Sequence, residues 1–170
     1  MTVRSAILMG LMLLGGCGAD AQAPKAAMEL TGRVVDQANL IDDGLESQLT
    51  ARLLRLERET GVQMVIATTP SLGGRTIKAY GLDLANAWGV GSKARNDGLV
   101  LLVAPVERKV RIEVGYGLEA GMTNALCDEI IQRSIVPHFR TGDMPGGILT
   151  GTDAIISAIA KQRPAQRKAA

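Results

Sequence analysis

The sequence predicts an α/β fold, a three-layer α/β/α sandwich around a small mixed β-sheet that contains a β-hairpin. Three observations support this class. Short apolar runs rich in β-branched residues alternate with longer segments of helical periodicity. Two strand-like runs are separated only by a short turn, which is typical of a hairpin. Hydrophobic residues make up 46% of the chain but aromatic residues only 2%, so the core must be aliphatic.

The first half of the domain is predicted to run strand, helix, strand, helix. A short strand at 34–36 begins the fold. The stretch NLIDDGLESQLTARLLRLERETG (39–61) places leucines at steps of three and four, which predicts an amphipathic helix that Gly61 can close. The apolar run VQMVIATT (62–69) predicts a buried strand. Residues 76–88 form the second amphipathic helix, whose apolar face carries its two aromatic residues, Tyr80 and Trp88.

The hairpin follows in the second half. GLVLLVA (98–104) is continuously apolar, which predicts a buried strand. KVRIEV (109–114) alternates apolar and charged residues, which predicts a half-buried strand near the sheet edge. A turn at 105–108 joins the two runs.

Two helices complete the predicted domain. The third helix is expected to start at the capping residue Thr123, run to Ile135 and end at Pro137. A loop at 142–147 leads to the last helix, Ile148 to about Lys161. The remaining residues, 162–170, are predicted to be a basic, disordered tail.

The first 17 residues have the pattern of a bacterial lipoprotein signal peptide. Arg4 supplies a positive charge before an apolar run at 6–14, which is too short to span a bilayer. The sequence Leu14-Gly15-Gly16-Cys17 then resembles a lipobox, in which the cysteine receives the lipid. We therefore expect a periplasmic protein whose partner is the membrane, through the lipid on Cys17.

The residues after Cys17 bear on location and on domain organisation. Gly18 follows the cysteine, and by the sorting rule of enterobacteria this favours the outer over the inner membrane. Cleavage after Ala21-Gln22-Ala23 would instead release a soluble secreted protein. Residues 18–31 are rich in Ala, Pro and Lys, which predicts a flexible tether, and 32–161 then form a single domain.

Cysteine usage and charge exclude several function classes. If Cys17 carries lipid, Cys127 is left alone and no internal disulfide can form. Cys127 lies in an apolar helical pattern, which favours a buried small hydrophobe over a nucleophile. The formal net charge is only +2, and aromatic residues are not interleaved with basic ones, so a nucleic-acid partner is not expected.

Five segments occur in the order and spacing of a known family. They are VVDQANLID, ETGVQMVIATTPSLGG, WGVGSKARNDGLVLLVAP, RKVRIEVGYGLEAGMTNA and IVPHFRTGD. Over Gly32 to Ile159 the chain thereby resembles the TPM domain, a family that includes a plant thylakoid-lumen protein of photosystem II repair. The resemblance implies an extracytoplasmic or membrane-tethered α/β/α sandwich. Plant members are assigned acid phosphatase activity and bind calcium, while many bacterial members have no settled activity.

The predicted hairpin brings candidate site residues together. Asn96 and Asp97 come just before one strand, while Gly115-Tyr116-Gly117 and Glu119 follow the next one. Because a hairpin places its two open ends side by side, we expect these segments to meet. Tyr116 would then either cover the hairpin end or be an exposed contact residue.

The residues around this end are rich in oxygen, which suits a hard cation such as calcium or magnesium. Thr123 and Asn124 open the next helix, and Asp36 from the first strand is expected to join them. Asn124 stands where the family usually has Asp, and the lost charge weakens a cation site. Equally, Asp97 and Glu119 could serve only the architecture of the loops.

These features predict an envelope-anchored accessory protein that binds a partner, a divalent cation or both in the maintenance of membrane proteins. The alternative is a metal-dependent acid phosphatase, in which Arg95 or Arg75 would neutralise the phosphoryl oxygens. The sequence contains no P-loop, no Gly-x-Ser-x-Gly and no His/Cys metal cluster, so catalytic residues cannot be assigned from motifs.

Overall fold

The computed structural model describes residues 28–168, with side chains as far as Gln162. The predicted signal peptide, Cys17 and most of the predicted tether lie outside these residues. The strands are β1 (Val34–Asp36), β2 (Gln63–Thr68), β3 (Gly98–Ala104) and β4 (Lys109–Val114). The helices are α1 (Asp43–Thr60), α2 (Ile77–Trp88), α3 (Asn124–Ile130), α4 (Val136–Arg140) and α5 (Met144–Lys168).

The four strands form one mixed sheet in the order β1-β2-β3-β4. The first three strands are parallel, and β4 runs antiparallel to β3 as the second arm of the hairpin. β3 is one of the two inner strands, and every one of its residues is buried. The predicted fold class, a mixed sheet with a hairpin between two helical layers, is confirmed.

Alternation along each strand builds two separate cores. Odd and even residues of a strand point to opposite faces of the sheet. One face carries Ile66 and Leu101 and is covered by α1, α3 and α5. The other carries Val65 and Val100 and is covered by α2. Since β1, β2 and β3 follow one another across the sheet while α1 and α2 lie on opposite faces, the two connections have opposite hand, a departure from the usual right-handed pair.

Helix α1 ends where the sequence predicts. The Asp42 side chain caps its first turn by accepting a hydrogen bond from the Leu45 N–H at 2.9 Å. Gly61 closes it with a left-handed φ of 77°, a conformation that favours glycine. Leu49 and Leu53 have no exposed surface, and losing the Leu53 side chain to alanine would cost about 2–5 kcal/mol.

The third predicted helix is not a single α-helix. After α3 the chain forms a π-helical stretch, Ile131–Ile135, before α4 begins. Pro137 was expected to end a helix, but it lies in the first turn of α4. A proline is tolerated there because the first N–H groups of a helix have no intrahelical acceptor.

The last helix is longer than predicted at both ends. It begins at Met144, where Asp143 accepts a hydrogen bond from the Gly146 N–H at 2.9 Å, so the expected loop at 142–147 was largely wrong. A Cβ on Gly147 would lie 2.6 Å from the Phe139 ring, so this glycine serves close helix packing and not a turn. At its other end the helix runs to Lys168, into the segment 162–170 that the sequence assigns to a basic tail.

The domain also starts earlier than predicted. Met28, which was assigned to the tether, is only 3% exposed and packs in the core beneath α2. The Trp88 indole Nε1 donates a hydrogen bond to the Met28 carbonyl at 2.9 Å. Tyr80 is buried on the same face, so the prediction that both aromatic residues belong to the core is confirmed.

Candidate functional site

Two loops meet at the end of the sheet where the parallel strands begin. One spans residues 89–97 before β3, and the other spans 115–119 after β4; we call them together the loop cluster. The Gly115 N–H donates to the Gly98 carbonyl at 2.9 Å, and the Gly117 N–H donates to the Asn96 carbonyl at 2.9 Å. The predicted meeting of Asn96 and Asp97 with Gly115-Tyr116-Gly117 is therefore present.

Glycines allow this contact because backbone packs directly on backbone. A Cβ on Gly117 would lie 1.9 Å from the Arg95 carbonyl oxygen. A Cβ on Gly115 would lie 2.3 Å from the Asn96 carbonyl oxygen. No side chain fits at either distance, so the glycine spacing around VGYG is dictated by the closeness of the two loops.

Asp97 stabilises the first loop from within. Its side chain is only 8% exposed and is paired with Arg95. Its carboxylate accepts hydrogen bonds from the Ser92 N–H, at 2.8 Å, and from the Arg95 side chain. Asn96, beside it, has a left-handed φ of 50°. These contacts give Asp97 the architectural role that the sequence left open.

Tyr116 and Glu119 lie on the outer surface of the cluster. A single turn of 3-10 helix, Tyr116–Leu118, follows Gly115 and buries Leu118. Tyr116 is 79% exposed, so it does not cover the hairpin end, and its side chain faces solvent. Glu119 follows this turn and is exposed as well.

The start of α3 continues from this turn. The Met122 N–H donates to the Leu118 carbonyl at 2.8 Å, which ties the 3-10 turn to the helix entry. Thr123 caps α3 by accepting from the Leu126 N–H at 3.3 Å, as predicted. Asn124 is the first residue of the helix and is exposed.

Asp36 does not join the cluster. The register pairs Asp36 with Thr68 and Thr68 with Val103, near the far end of β3 from Asp97. At about 3.3 Å per residue, that separates it from the start of β3 by about 17 Å along the strand. The Asp36 carboxylate instead accepts hydrogen bonds from the N–H groups of Leu40 and Ile41, at 3.1 and 2.8 Å.

The acidic groups are too few for a dense metal site. Within residues 28–168, no three His, Cys, Asp or Glu side chains are grouped closely enough to hold a metal ion. A cation in the loop cluster would have to combine Asp97 and Glu119 with amide and carbonyl oxygens. Cys127 is buried, and burial raises the pKa of its thiol to about 11, which keeps the free thiol protonated.

Arg95 is the residue that the sequence analysis undervalued. It was considered only as a phosphate contact, yet besides pairing with Asp97 it donates a hydrogen bond to the Gly61 carbonyl at 3.3 Å. It thereby links the loop cluster to the end of α1. The only available signal was its place two residues before an aspartate in a polar loop.

The chain is similar in sequence to one known protein family. The family model TPM_phosphatase, described as TPM domain, matches residues 34–158. The chain belongs to the TPM-domain family. This agrees with the resemblance carried by the five sequence segments. Among curated proteins, none matches the chain.

Solved structures of proteins from three bacteria share the fold seen here. The chain is similar to the N-terminal domain of a protein from P. gingivalis, with 33% identity, a TM-score of 0.73, and coverage of 78% of this chain and 84% of that one. It also resembles the N-terminal domain of the cg2496 protein from Corynebacterium glutamicum, with 18% identity, a TM-score of 0.60, and coverage of 75% and 80%. BA42 from Bizionia argentinensis has 17% identity, a TM-score of 0.56, and coverage of 71% and 82%.

Within residues 28–168, no helix combines the length and the apolar character needed to cross a bilayer.

Proposed function

We propose that this TPM domain is an envelope-anchored accessory protein that binds a divalent cation, such as calcium or magnesium, at the loop cluster. In this proposal it serves the maintenance of membrane proteins, as the family resemblance implies. The observation that carries the proposal is the hydrogen bond from Gly117 to Asn96. It joins the loop that carries Asp97 to the turn that ends at Glu119, two carboxylates distant in sequence.

The contacts of Asp97 set the expected strength of this site. Both of its oxygens already accept hydrogen bonds, one of them from Arg95. The Arg95 side chain is 60% exposed, so it can turn into solvent when a cation approaches. Because a cation must displace this partner and gains few carboxylates, we expect affinity in the millimolar range typical of weak extracellular calcium sites.

A thermal shift experiment tests cation binding. With a dissociation constant of about 1 mM, 10 mM calcium would stabilise the fold by about 1.4 kcal/mol, which raises the melting temperature by about 4 °C. Glu119→Gln should abolish the shift without changing the melting temperature in EDTA, because Glu119 is exposed.

Glu46→Gln, an exposed glutamate in the first turn of α1, is the matched control and should keep the shift. If calcium and magnesium at 10 mM leave the wild-type melting temperature unchanged, no cation site exists here. An equal shift in wild type and in Glu119→Gln would place the ion elsewhere.

A metal-dependent phosphatase is the second candidate, and the name of the matching family model, TPM_phosphatase, is what favours it. In that case the cation held by Asp97 would activate a water molecule. Arg95, which is adjacent to Asp97, would contact the oxygens of a phosphoryl group bound beside the cation. Turnover of a generic phosphomonoester in the presence of calcium or magnesium tests it. Activity lost in Glu119→Gln and kept in Glu46→Gln would favour the enzyme over the binding module.

The anchoring part of the proposal is tested separately, because Cys17 lies outside the described residues. Expression in a bacterial host with labelled palmitate should give a labelled membrane-fraction protein, and Cys17→Ser should give an unlabelled one. Unlabelled, soluble wild-type protein would favour the secreted alternative. The membrane-protein partner remains a proposal from the resemblance, and co-purification from envelope fractions through the lipidated chain is its assay.

A further inference from the structure

Tyr116 forms a rigid aromatic tip on the loop cluster. It is the most exposed large hydrophobic side chain of the described residues, at 79%. The backbone hydrogen bonds of the two glycines beside it, Gly115 and Gly117, fix its position. A tyrosine ring combines an apolar body with a polar hydroxyl, which makes it suited to contacts that are apolar on one side and wet on the other.

The N-terminal segment enters the domain at the same end. Trp88 is the last residue of α2, directly before the 89–97 loop of the cluster. Its indole binds the Met28 carbonyl, and Met28 comes six residues before β1. Since β1, β2 and β3 are parallel, the entry of the chain and the loop cluster both lie where these strands begin.

The length of chain between Cys17 and Met28 limits how far the domain can lie from a bilayer that holds the lipid of Cys17. Fully extended, this stretch spans at most about 37 Å, and as a random coil its mean end-to-end distance is about 18 Å. The seven residues of β3 add about 23 Å before the turn at Val106. With lipid on Cys17, the tether therefore joins the domain at the end that carries Tyr116, so this end can reach the bilayer with less extension of the tether than the end at Val106.

We propose that the loop cluster docks on the surface of the bilayer in which the lipid of Cys17 is inserted, with the Tyr116 ring among the lipid headgroups. This inference rests on the anchoring proposed above. Tyrosine concentrates at membrane interfaces, and Lys93 and Arg95 in the adjacent loop are exposed and can reach headgroup phosphates.

Weak intrinsic affinity is sufficient for such docking. A short tether keeps the tip near the membrane at an effective concentration in the millimolar range, so one aromatic ring and two basic side chains are enough. The carboxylates of Asp97 and Glu119 offset these two positive charges, so the contact depends on the interfacial ring more than on net charge. A protein partner with a pocket for Tyr116 is the competing occupant, and the experiment below separates the two.

Tryptophan fluorescence in the lipidated full chain tests the docking. Tyr116→Trp keeps an aromatic ring at the tip, and Val106→Trp is the matched control because Val106 is 75% exposed at the opposite end of the hairpin. Both proteins are reconstituted in phosphatidylethanolamine/phosphatidylglycerol vesicles. Wild-type protein, whose single tryptophan is Trp88, gives the background.

The expected result is a blue shift of the Tyr116→Trp emission, with quenching by lipids brominated high in the acyl chain. Val106→Trp should show neither effect. Quenching at both positions, or at neither, overturns the proposal. Shielding of position 116 only when envelope proteins are added, without quenching by brominated lipid, also overturns it and identifies a protein partner.

Failure of docking and failure of anchoring are distinguishable. A palmitate-labelled chain with no quenching at position 116 refutes the docking while the anchored function stands. An unlabelled chain refutes both, because the inferred orientation depends on the tether.

Discussion

Gly117→Ala is the most direct test of the loop cluster as a rigid unit. The added Cβ would lie 1.9 Å from the Arg95 carbonyl oxygen, whereas real Cβ contacts are essentially never below 3.0 Å. The two loops must therefore move apart by more than about 1 Å. The obstructing atom is backbone, so no side-chain rotation can relieve the contact.

The size of the effect follows from what this separation breaks. The Gly117 N–H to Asn96 carbonyl distance would grow from 2.9 Å beyond hydrogen-bonding range. Overpacking costs about 1–3 kcal/mol, and the lost hydrogen bond costs about 1 kcal/mol more. We expect a total loss of about 2–4 kcal/mol in the free energy of unfolding, which lowers the melting temperature by about 6–12 °C.

Urea unfolding followed by circular dichroism measures this free energy, and amide hydrogen exchange reports on the Gly117 N–H itself. Gly32→Ala is the matched control, since a Cβ there meets only the Val34 carbonyl oxygen at an ordinary 3.7 Å. If Gly117→Ala were as stable as Gly32→Ala, with an equally protected amide at position 117, the two loops would not be packed backbone on backbone as described.

Two further variants test other contacts. Asp97→Asn should lose about 1.5–3 kcal/mol of stability, because it removes the charge from two hydrogen bonds of a buried carboxylate. Asp128 is exposed, so Asp128→Asn should stay within about 0.5 kcal/mol of wild type in the same urea assay. Glu107 accepts from the Leu72 N–H, which together with Ser71 and Lys109 holds its pKa below 4.5. Because the pKa is lower in the folded state, ionised Glu107 stabilises the fold above pH 4.5, and this stabilisation is lost as the pH falls through the pKa of the folded state. Glu107→Gln should therefore reduce the fall in melting temperature that wild type shows below pH 4.5. An unchanged dependence of melting temperature on acid pH would contradict this.

The sequence predicts the sheet and its helices well because their signals are local. Leucine spacing in α1 and the alternation in β4 report directly which side of each element is buried. The errors arose where one residue type has two uses. Gly147 resembles a turn signal but serves the packing of α4 against α5, and Pro137 resembles a stop but occupies a first turn.

The place of the loop cluster was predictable from the sequence, but the contacts of its side chains were not. A hairpin must bring its open ends together, so the meeting of Asn96 with Gly117 follows from two strand assignments. The position of Asp36 needed more information, namely that β1 runs parallel to β2 and β3. With that direction, the end of β1 lies opposite the end of the sheet where β3 begins. The order strand, helix, strand already favours this direction, but the expectation for Asp36 considered which strand carries the residue and not at which end of the strand it lies.

The contacts of Asp97 and Glu119 determine which of the two can be substituted to test function without disturbing the fold. Asp97 accepts the Ser92 N–H and pairs with Arg95, so its substitution would disturb the loop whether or not a cation binds there. A loss of activity or of calcium response in Asp97→Asn could therefore arise from a disturbed loop as well as from a lost ligand, and this variant alone does not separate the two causes. Glu119 is exposed at the end of the 3-10 turn, so its carboxylate can be neutralised with little cost to the fold. A functional defect in Glu119→Gln at unchanged stability is thus the result that separates a site from an architectural loop.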